Sequence, residues 1–403
     1  MDLLEAAELL LEKVKLYNTP NSPAQKTFRL REEVRAIAMQ IPCLLEGPEQ
    51  AMHTVARQYT VCSALKICAD LELAAKMPID QPQTLDELAR ATSCDSRILR
   101  PVLRILAQNG IFSQDQDGNW QHTAMSKVIT QAPFRAWLNS ILEEKYQSSA
   151  QLPAFLSRNA YEMPSTGKAA YNSVYQTPLD FYTYANEKDH AVSQNFAVSM
   201  RELARTQLPF IVECYPFHDL PPETRFIDIA GGEGNLCFYL AKRLPHATFQ
   251  LQDHITVVAQ AENSYDTSLG GRIDFKAQDM YLPQPPIDRE TYKNGAVFLL
   301  KIILHDHDDM QCRLILNNII ASMKYGDRLL IMETVLPEVG GSLSSSMSDM
   351  IILSMFGCGH RTLNEWLELI HGSGEVHTEV YGEGSSEFDG MMIFEVTLPD
   401  TRP

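Results

Sequence analysis

The chain has 403 residues, of which 45% are hydrophobic and 21% are charged, and its formal net charge at neutral pH is −17. This length exceeds that of one ordinary domain and predicts two, while no apolar run of about 18 residues predicts a membrane-spanning helix. The negative charge disfavours nucleic acid as a partner, because such binding depends on cationic contacts with phosphates.

The N-terminal segment and the cysteines predict the compartment. Asp2, Glu5 and Glu8 alternate with apolar residues near the start of the chain, unlike the basic start of a secretory signal. The eight cysteines are scattered and none forms a C-x-x-C pair, which favours free thiols over structural zinc. Both features predict a cytoplasmic protein. The apolar spacing of residues 2–16 predicts an amphipathic helix whose apolar face needs a partner, and hence a homodimer.

Residues 55–130 predict a winged-helix arrangement. Thr84 is placed to begin a helix and Glu87, three residues later, to complete a capping box. A helical pattern at 98–106 follows, and then a segment at 112–122 centred on Asp117 and Gly118, which predicts a hairpin because Asp-Gly supplies the positive φ angles of a tight turn. Winged helices often bind DNA, but the acidic charge favours a structural or dimerising role.

The C-terminal half has the alternating pattern of an α/β domain. Apolar strands are predicted at 226–229, 249–251, 273–275, 296–300 and 329–332, with helices at 235–244 and 310–323. This alternation favours a mostly parallel sheet with helices on both faces, as in Rossmann-like domains. We therefore expect a mainly α winged-helix domain at 1–205 and a Rossmann-like domain at 206–403, with an irregular connection at 153–178.

The first of these strands runs into a turn with the sequence Ala-Gly-Gly-Glu-Gly at 230–234. Glycine permits both the tight turn from strand to helix and the close approach of a ligand to the backbone. Asp253 ends the second strand, where a carboxylate can accept hydrogen bonds from ribose hydroxyls. Glu233 would oppose the pyrophosphate of a dinucleotide, so an adenosyl sulfonium cofactor is favoured. A glycine turn without a ligand is the alternative interpretation.

These segments, with 251–253, 279–280 and 300–306, resemble the successive motifs of fungal and plant class I small-molecule O-methyltransferases. Residues 84–88 and 97–112 also resemble the N-terminal winged-helix dimerisation domain of that family. The resemblance implies S-adenosylmethionine as cofactor, a small aromatic or polyketide-like substrate of secondary metabolism, and a homodimer. The residues that would contact the cofactor are Gly231, Gly232, Gly234, Asp253, Asp279, Met280 and Lys301.

The resemblance also implies a reaction centre. His305 occupies the position of the general base, and Glu333 that of the carboxylate which orients this base. A hydroxyl group is a poor nucleophile, and a neutral imidazole can take its proton as the oxygen attacks the methyl group. The implied activity is O-methylation dependent on S-adenosylmethionine.

Three positions depart from the family pattern. His307 stands where tryptophan is usual, His360 stands where a second acid is usual before Arg-Thr, and Ala230 replaces a glycine at an expected small cost. A pocket containing His305, His307, His360 and Lys301 would offer several hydrogen-bond donors. These departures favour the alternative of a pericyclase that binds S-adenosylmethionine without transferring its methyl group and catalyses dehydration and pericyclic cyclisation. A non-catalytic regulator is a third possibility.

No metal site is predicted. The segment His-Asp-His-Asp-Asp at 305–309 contains ligand-type residues, but their alternation allows only one or two to converge. A tetrahedral zinc site would need further His or Cys ligands at standard spacing, and the sequence offers none.

An apolar substrate pocket is implied by the resemblance alone. Helical stripes of this kind more often belong to a plain core. The candidate contacts lie before the glycine turn and after Glu333, and they are Phe181, Tyr182, Phe196, Met200, Met350, Met355 and Phe356.

Overall fold

The computed structural model describes residues 1–18, 24–164, 167–382 and 390–400. The described chain divides into two compact units, Met1–Ala150 with His190–Glu202 and Gln151–Asp189 with Leu203–Pro403. The boundary predicted near residue 205 lies beside the last crossing between these units. Residues 151–189, which the sequence assigned to the N-terminal domain, group instead with the larger unit.

The smaller unit is mainly helical. Its helices are α1 (Leu3–Tyr17), α2 (Ala24–Glu46), α3 (Pro48–Ala56), α4 (Tyr59–Asp70), α5 (Leu73–Lys76), α6 (Leu85–Thr92), α7 (Ser96–Gln108), α8 (Ala124–Ile129) and α9 (Ala132–Ser140). A π-helical turn at Ile141–Lys145 follows, and then α10 (Tyr146–Arg158), which belongs to the larger unit from Gln151 onward. The predicted N-terminal helix is confirmed, and Asp2 forms a capping box with Glu5. None of the helices within the described residues is long and apolar enough to cross a membrane.

The capping box and hairpin predicted for the winged-helix region are confirmed. The Glu87 N–H donates to Thr84 Oγ1 at 3.3 Å, and the Thr84 N–H donates to the Glu87 carboxylate at 2.8 Å. Strands β1 (Phe112–Gln114) and β2 (Trp120–His122) pair antiparallel. Gly118 has a φ of 85°, but the loop is wider than a two-residue turn because the Asp115 N–H donates to the Asn119 carbonyl at 2.9 Å.

The larger unit is built on a mixed sheet. Its strands are β3 (Arg225–Ile229), β4 (Thr248–Asp253), β5 (Ile273–Ala277), β6 (Ala296–Lys301), β7 (Arg328–Leu336), β8 (Arg361–Thr362), β9 (His377–Tyr381) and β10 (Met391–Thr397). The main order is β5-β4-β3-β6-β7-β10-β9. The five predicted strands are confirmed and pair in parallel from β5 to β7. The antiparallel strands β9 and β10 were not predicted.

Helices accompany these strands. They are α11 (Ala170–Tyr175), α12 (Phe181–Glu187), α13 (His190–Cys214), whose first part belongs to the smaller unit, α14 (Asn235–Arg243), α15 (Ile255–Asn263), α16 (Asp309–Ile320), α17 (Leu343–Phe356) and α18 (Leu363–His371). Neighbouring residues of β6 enter different cores, since Leu299 packs with Phe226 and Phe249 whereas Phe298 packs with Ile227. The sheet is therefore covered on both faces, as the α/β pattern predicted.

The order of the strands fixes where a ligand would bind. Successive strands lie on one side of β3 as far as β5, and the chain then returns to place β6 on the other side. In open α/β sheets, ligands bind at the carboxyl ends of the strands where this order reverses. The turn after β3 and the loop after β6 meet this condition.

Candidate active site

The turn between β3 and α14 requires glycine for two separate reasons. A Cβ atom on Gly231 would lie 2.4 Å from Leu251 Cδ1 and 2.6 Å from Asp228 Cγ, so no larger residue fits. Gly232 and Gly234 have φ angles of 59° and 82°, in the left-handed region. No atom lies within 4 Å of a Cβ added to Gly232, so the turn leaves open space beside its backbone.

Ala230 immediately precedes these glycines and has a φ of 53°. The expectation that alanine costs little here is wrong, because an L residue in the left-handed region costs roughly 1–2 kcal/mol. Strain of this size is maintained only where the surrounding structure imposes the conformation.

Asp253, at the end of β4, holds the glycine turn in place. Its Oδ2 accepts a hydrogen bond from the Gly232 N–H at 2.8 Å, and its Oδ1 accepts one from the His254 N–H at 2.7 Å. Burial raises the pKa of Asp253, and these two amide hydrogen bonds oppose that rise. The predicted contact with a ribose stays a prediction, but the carboxylate lies beside the open face of the turn.

The two strands β3 and β6, which pair in parallel, each carry a buried ionisable group near this edge of the sheet. Lys301 ends β6, and burial lowers its pKa, with the carboxylates of Asp228 and Glu333 opposing the change. Burial raises the pKa of Asp228 to about 7, against the influence of Lys301. Asp228 Oδ2 lacks a hydrogen-bond partner within the described part of the chain. The sequence analysis did not single out Asp228, although an acid inside an otherwise apolar strand is a detectable signal.

The loop after β5 carries the predicted adenine contacts. Asp279 is exposed, and its carboxylate accepts a hydrogen bond from the Tyr281 N–H at 2.8 Å. Met280 is half-buried against the core beneath β6. Both residues follow a strand that is two places from β3, at the same edge of the sheet as the glycine turn.

His305 lies in a 3₁₀ turn, Leu304–Asp306, and is 6% exposed. Its Nδ1 is 2.8 Å from Oε2 of Glu333, a fully buried residue of β7. The other carboxylate oxygen of Glu333 accepts the backbone N–H groups of Ile303 and Leu304 at 2.9 and 2.7 Å. Glu333 thus holds both the backbone of this loop and the orientation of the imidazole.

A second carboxylate contacts the same imidazole. Oδ1 of Asp306 lies 3.1 Å from His305 Nε2, as an ion pair without the alignment of a hydrogen bond. Tyr182, on α12, donates its hydroxyl proton to Asp306 Oδ2. Burial alone would lower the pKa of His305, but Asp306 and Glu333 outweigh it and raise that pKa to about 10. The sequence analysis expected Tyr182 only as an apolar substrate contact, and it gave Asp306 no role beside the base.

The two histidines that depart from the family pattern lie near His305 and are uncharged. His307 is buried, with Nδ1 3.1 Å from the Tyr281 hydroxyl. The His360 ring lies 5.3 Å from that of His305, and its Nε2 is 2.9 Å from Ser348 Oγ. Burial lowers the pKa of both histidines, and the positive charge of His305 lowers each further.

The loop that carries His305 is strained and strongly held. Ile302 has a φ of 56°, an unusual angle for a β-branched residue, and its N–H donates to the Met332 carbonyl at 2.9 Å. Arg361 donates to the Leu304 and His307 carbonyls at 3.2 and 2.9 Å. Backbone strain of this kind is concentrated at functional sites, and here it lies three residues before His305.

The predicted substrate contacts divide into different environments. Phe181 and Met355 are buried, whereas Met350 is 56% exposed. Phe181 packs edge-on against Phe356 at 6.0 Å between ring centroids, which is equally what a core residue would do. Phe196 and Met200 are partly buried in the part of α13 that belongs to the smaller unit. The substrate contacts therefore stay predictions.

No cluster of three or more His, Cys, Asp or Glu side chains suited to a metal ion occurs among the residues that the structure describes. The acids at the end of the 305–309 segment have other roles. Asp308 caps α16 by accepting the Gln311 N–H at 2.9 Å, and Asp309 pairs with Arg361 at 2.8 Å.

Comparisons with known proteins show the family of this chain. The model of the O-methyltransferase domain matches residues 160–375, and that of the O-methyltransferase dimerisation domain matches residues 54–132. The O-methyltransferase SAT18 of Stachybotrys chartarum is 50% identical over 399 residues, which cover 98% of each chain.

Two solved structures share the fold. A structure of a pericyclic reaction enzyme aligns with a TM-score of 0.80 at 21% identity and covers 98% of both chains. The structure of LepI in complex with S-adenosylmethionine aligns with a TM-score of 0.78 at 20% identity, over 98% of this chain and 99% of that chain. The predicted fold class, enzyme class and cofactor are confirmed by the family. The chain therefore belongs to the O-methyltransferase family, whose members use S-adenosylmethionine.

Proposed function

We propose that this chain methylates a hydroxyl group of a small secondary metabolite, aromatic or polyketide-like, with His305 as the general base. The observation that carries the proposal is the buried pair of His305 Nδ1 and Glu333 Oε2, 2.8 Å apart, at the carboxyl edge of the sheet. The carboxylate fixes the ring orientation and leaves Nε2 as the nitrogen that meets the substrate.

The glycine turn has the features that the cofactor needs. Open space beside Gly232 and the carboxylate of Asp253 suit an adenosyl group that carries no phosphate. When bound, the cofactor supplies an electrophilic methyl group and a positive charge. The residues that would hold it are Gly231, Gly232, Gly234, Asp253, Asp279, Met280 and Lys301.

His305 has to lose a proton before it can act as a base, because Asp306 and Glu333 raise its pKa. With Asp306 and Glu333 both close, the imidazole carries two protons and cannot accept a third. A substrate hydroxyl that takes the place of Asp306 at Nε2 would leave one carboxylate on the ring, so the pKa of His305 would fall and its Nε2 proton could pass to solvent before the substrate is closed in. The neutral imidazole can then take the hydroxyl proton.

A pericyclase that keeps its cofactor intact is the second candidate. His360 supports it, because an uncharged imidazole replaces the second acid expected beside the base and can donate a hydrogen bond to a substrate carbonyl. The fold shared with a pericyclic reaction enzyme is compatible with this alternative. The Glu333–His305 pair favours methyl transfer, since a base oriented in this way serves to remove a proton.

The partners and the location complete the proposal. The match of residues 54–132 to a dimerisation domain supports a homodimer. The packing of α1 against the partner chain stays a prediction. A monomer in light scattering at micromolar concentration would contradict this assembly. The cytoplasmic location stays a prediction.

The deciding experiment follows label and mass together. The purified protein is incubated with methyl-labelled S-adenosylmethionine and a panel of phenolic and polyketide-type compounds, with the His305→Gln variant as control. Methyl transfer predicts a labelled product that depends on His305 and is heavier than its substrate by roughly the 14 mass units of one CH₂ group plus the mass of the label. An unlabelled product that is isomeric with the substrate, or lighter by one water, would refute methyl transfer and support the pericyclase.

A further inference from the structure

His307 and Tyr281 form a link between two loops that leave different strands. Tyr281 directly follows Asp279 and Met280 in the loop after β5, whereas His307 follows His305 in the loop after β6. Nδ1 of His307 is 3.1 Å from the Tyr281 hydroxyl oxygen, and the two rings meet edge to face at 79°.

Each partner is held independently of this bond. The Tyr281 N–H donates to Asp279 Oδ1 at 2.8 Å, and its carbonyl accepts from Asn318 Nδ2 at 2.8 Å. The His307 carbonyl accepts from Arg361 Nη2 at 2.9 Å. With both backbones fixed in this way, the side-chain hydrogen bond sets the spacing between the two loops.

The protonation states define the direction of the bond. Burial raises the pKa of Tyr281, so its phenol keeps its proton. Burial and the neighbouring His305 lower the pKa of His307, although Asp306 opposes them, so the imidazole is neutral. The phenol is the stronger proton donor of the two, and it donates to His307 Nδ1.

We propose that Tyr281 and His307 are positioning residues, whose hydrogen bond couples the Asp279–Met280 cofactor loop to the loop that carries His305. This inference rests on the function proposed above. Neither side chain is required to touch the reacting atoms. A cofactor that orders the first loop thereby also fixes His307, and the backbone of residues 304–307 passes that constraint to His305.

A double-mutant cycle tests the link. The variants are Tyr281→Phe, His307→Phe and the double variant, and the readouts are calorimetric affinity for S-adenosylhomocysteine and steady-state kinetics. Loss of one net hydrogen bond predicts that Tyr281→Phe raises the Kd about fivefold. Displacement of the base predicts a fall in kcat of roughly 10-fold, with the KM of the methyl acceptor changed less than about twofold.

The cycle also distinguishes coupling from independent effects. Each single variant removes the same bond, so the double variant should be no weaker than either single variant in affinity or kcat. His307→Gln keeps an acceptor for the phenol and should retain near-normal affinity for S-adenosylhomocysteine. This variant keeps the test decisive if His307→Phe does not fold. Tyr325→Phe, which removes a hydroxyl bonded to Asp400 at the opposite edge of the sheet, should behave like the wild type.

Two results would overturn the link: a Tyr281→Phe variant with unchanged affinity and kcat, or effects that multiply in the double variant. A wild-type protein that binds S-adenosylhomocysteine but methylates nothing would contradict the proposed function alone. The affinity arm of the cycle would still decide whether Tyr281 and His307 are coupled.

Discussion

Replacing Glu333 with glutamine changes the protonation of His305 without changing the size of the side chain. One Glu333 oxygen accepts the N–H groups of Ile303 and Leu304, and the other faces His305 Nδ1 at 2.8 Å. Glutamine has one acceptor oxygen and one donor NH₂ group. The two backbone N–H groups need the oxygen, so the NH₂ group must face Nδ1. The imidazole then carries its proton on Nε2 and has no lone pair there for a substrate.

The magnitude follows from this change of tautomer. In the triad of serine proteases, the comparable change from carboxylate to amide lowers kcat about 10⁴-fold. A general base contributes about 10² to 10⁴ in rate, so we expect kcat of Glu333→Gln to fall by about that factor. Glu333 is not among the expected cofactor contacts, so the affinity for S-adenosylhomocysteine should change little.

The assay is single-turnover methyl transfer at saturating labelled cofactor, with calorimetry for affinity. Glu395→Gln is a matched control, because Glu395 is also a buried acid of the sheet, bonded to Tyr215 and Arg328 at 2.8 Å each. It should lower the free energy of unfolding and leave kcat unchanged. A Glu333→Gln variant that keeps nearly all of its kcat would refute His305 as the base.

Four further predictions follow from the site. Asp306→Asn removes one of the two carboxylates that raise the pKa of His305, so the acid limb of the pH profile of kcat/KM should move about 1–3 pH units lower. A pH profile whose acid limb does not move would contradict the role of Asp306. The pKa of His305 rises from 6.5 to about 10, so its contribution to stability is complete below pH 6.5 and lost as the pH approaches 10. The free energy of unfolding that His305→Gln loses relative to the wild type, measured with urea, should therefore shrink between pH 6.5 and pH 10. A loss that stays constant over this range would argue against the charged pair. Gly231→Ala places a methyl group 2.4 Å from Leu251 and 2.6 Å from Asp228, so it should lower the free energy of unfolding by roughly 1–3 kcal/mol. It should also abolish binding of S-adenosylhomocysteine, and normal binding would count against the turn as the cofactor site. Chelation with EDTA should leave methyl transfer intact. An activity that is lost to EDTA and restored by a metal ion would contradict the prediction that the reaction needs no metal ion.

The parts of the fold that depend on local physics could be predicted from the sequence. The capping box of α6 needs only Thr84 and Glu87, three residues apart, and each buried parallel strand is a short apolar run of its own. Strand β9 could not be found in this way, because its alternation of polar and partly buried residues resembles a loop until β10 pairs with it. The irregular connection predicted to begin at Pro153 is wrong at that end, since Pro153 lies inside α10.

In the site, contacts between residues far apart in the sequence could not be predicted either. The resemblance supplied His305 and Glu333, and the structure places them in contact. The hydrogen bond from Tyr182 to Asp306 joins residues 124 positions apart. The periodic patterns of a sequence report only on local structure, so they do not reveal such a contact. The cost of Ala230 was also hidden, because it depends on a backbone angle that composition does not reveal.

We propose that the turn from Gly231 to Gly234, with Asp253, holds an adenosyl sulfonium cofactor beside His305. Calorimetric titration of S-adenosylhomocysteine into the wild-type protein measures this binding. We expect saturable binding of one molecule per chain, and a titration without heat of binding would show that the turn does not hold the cofactor.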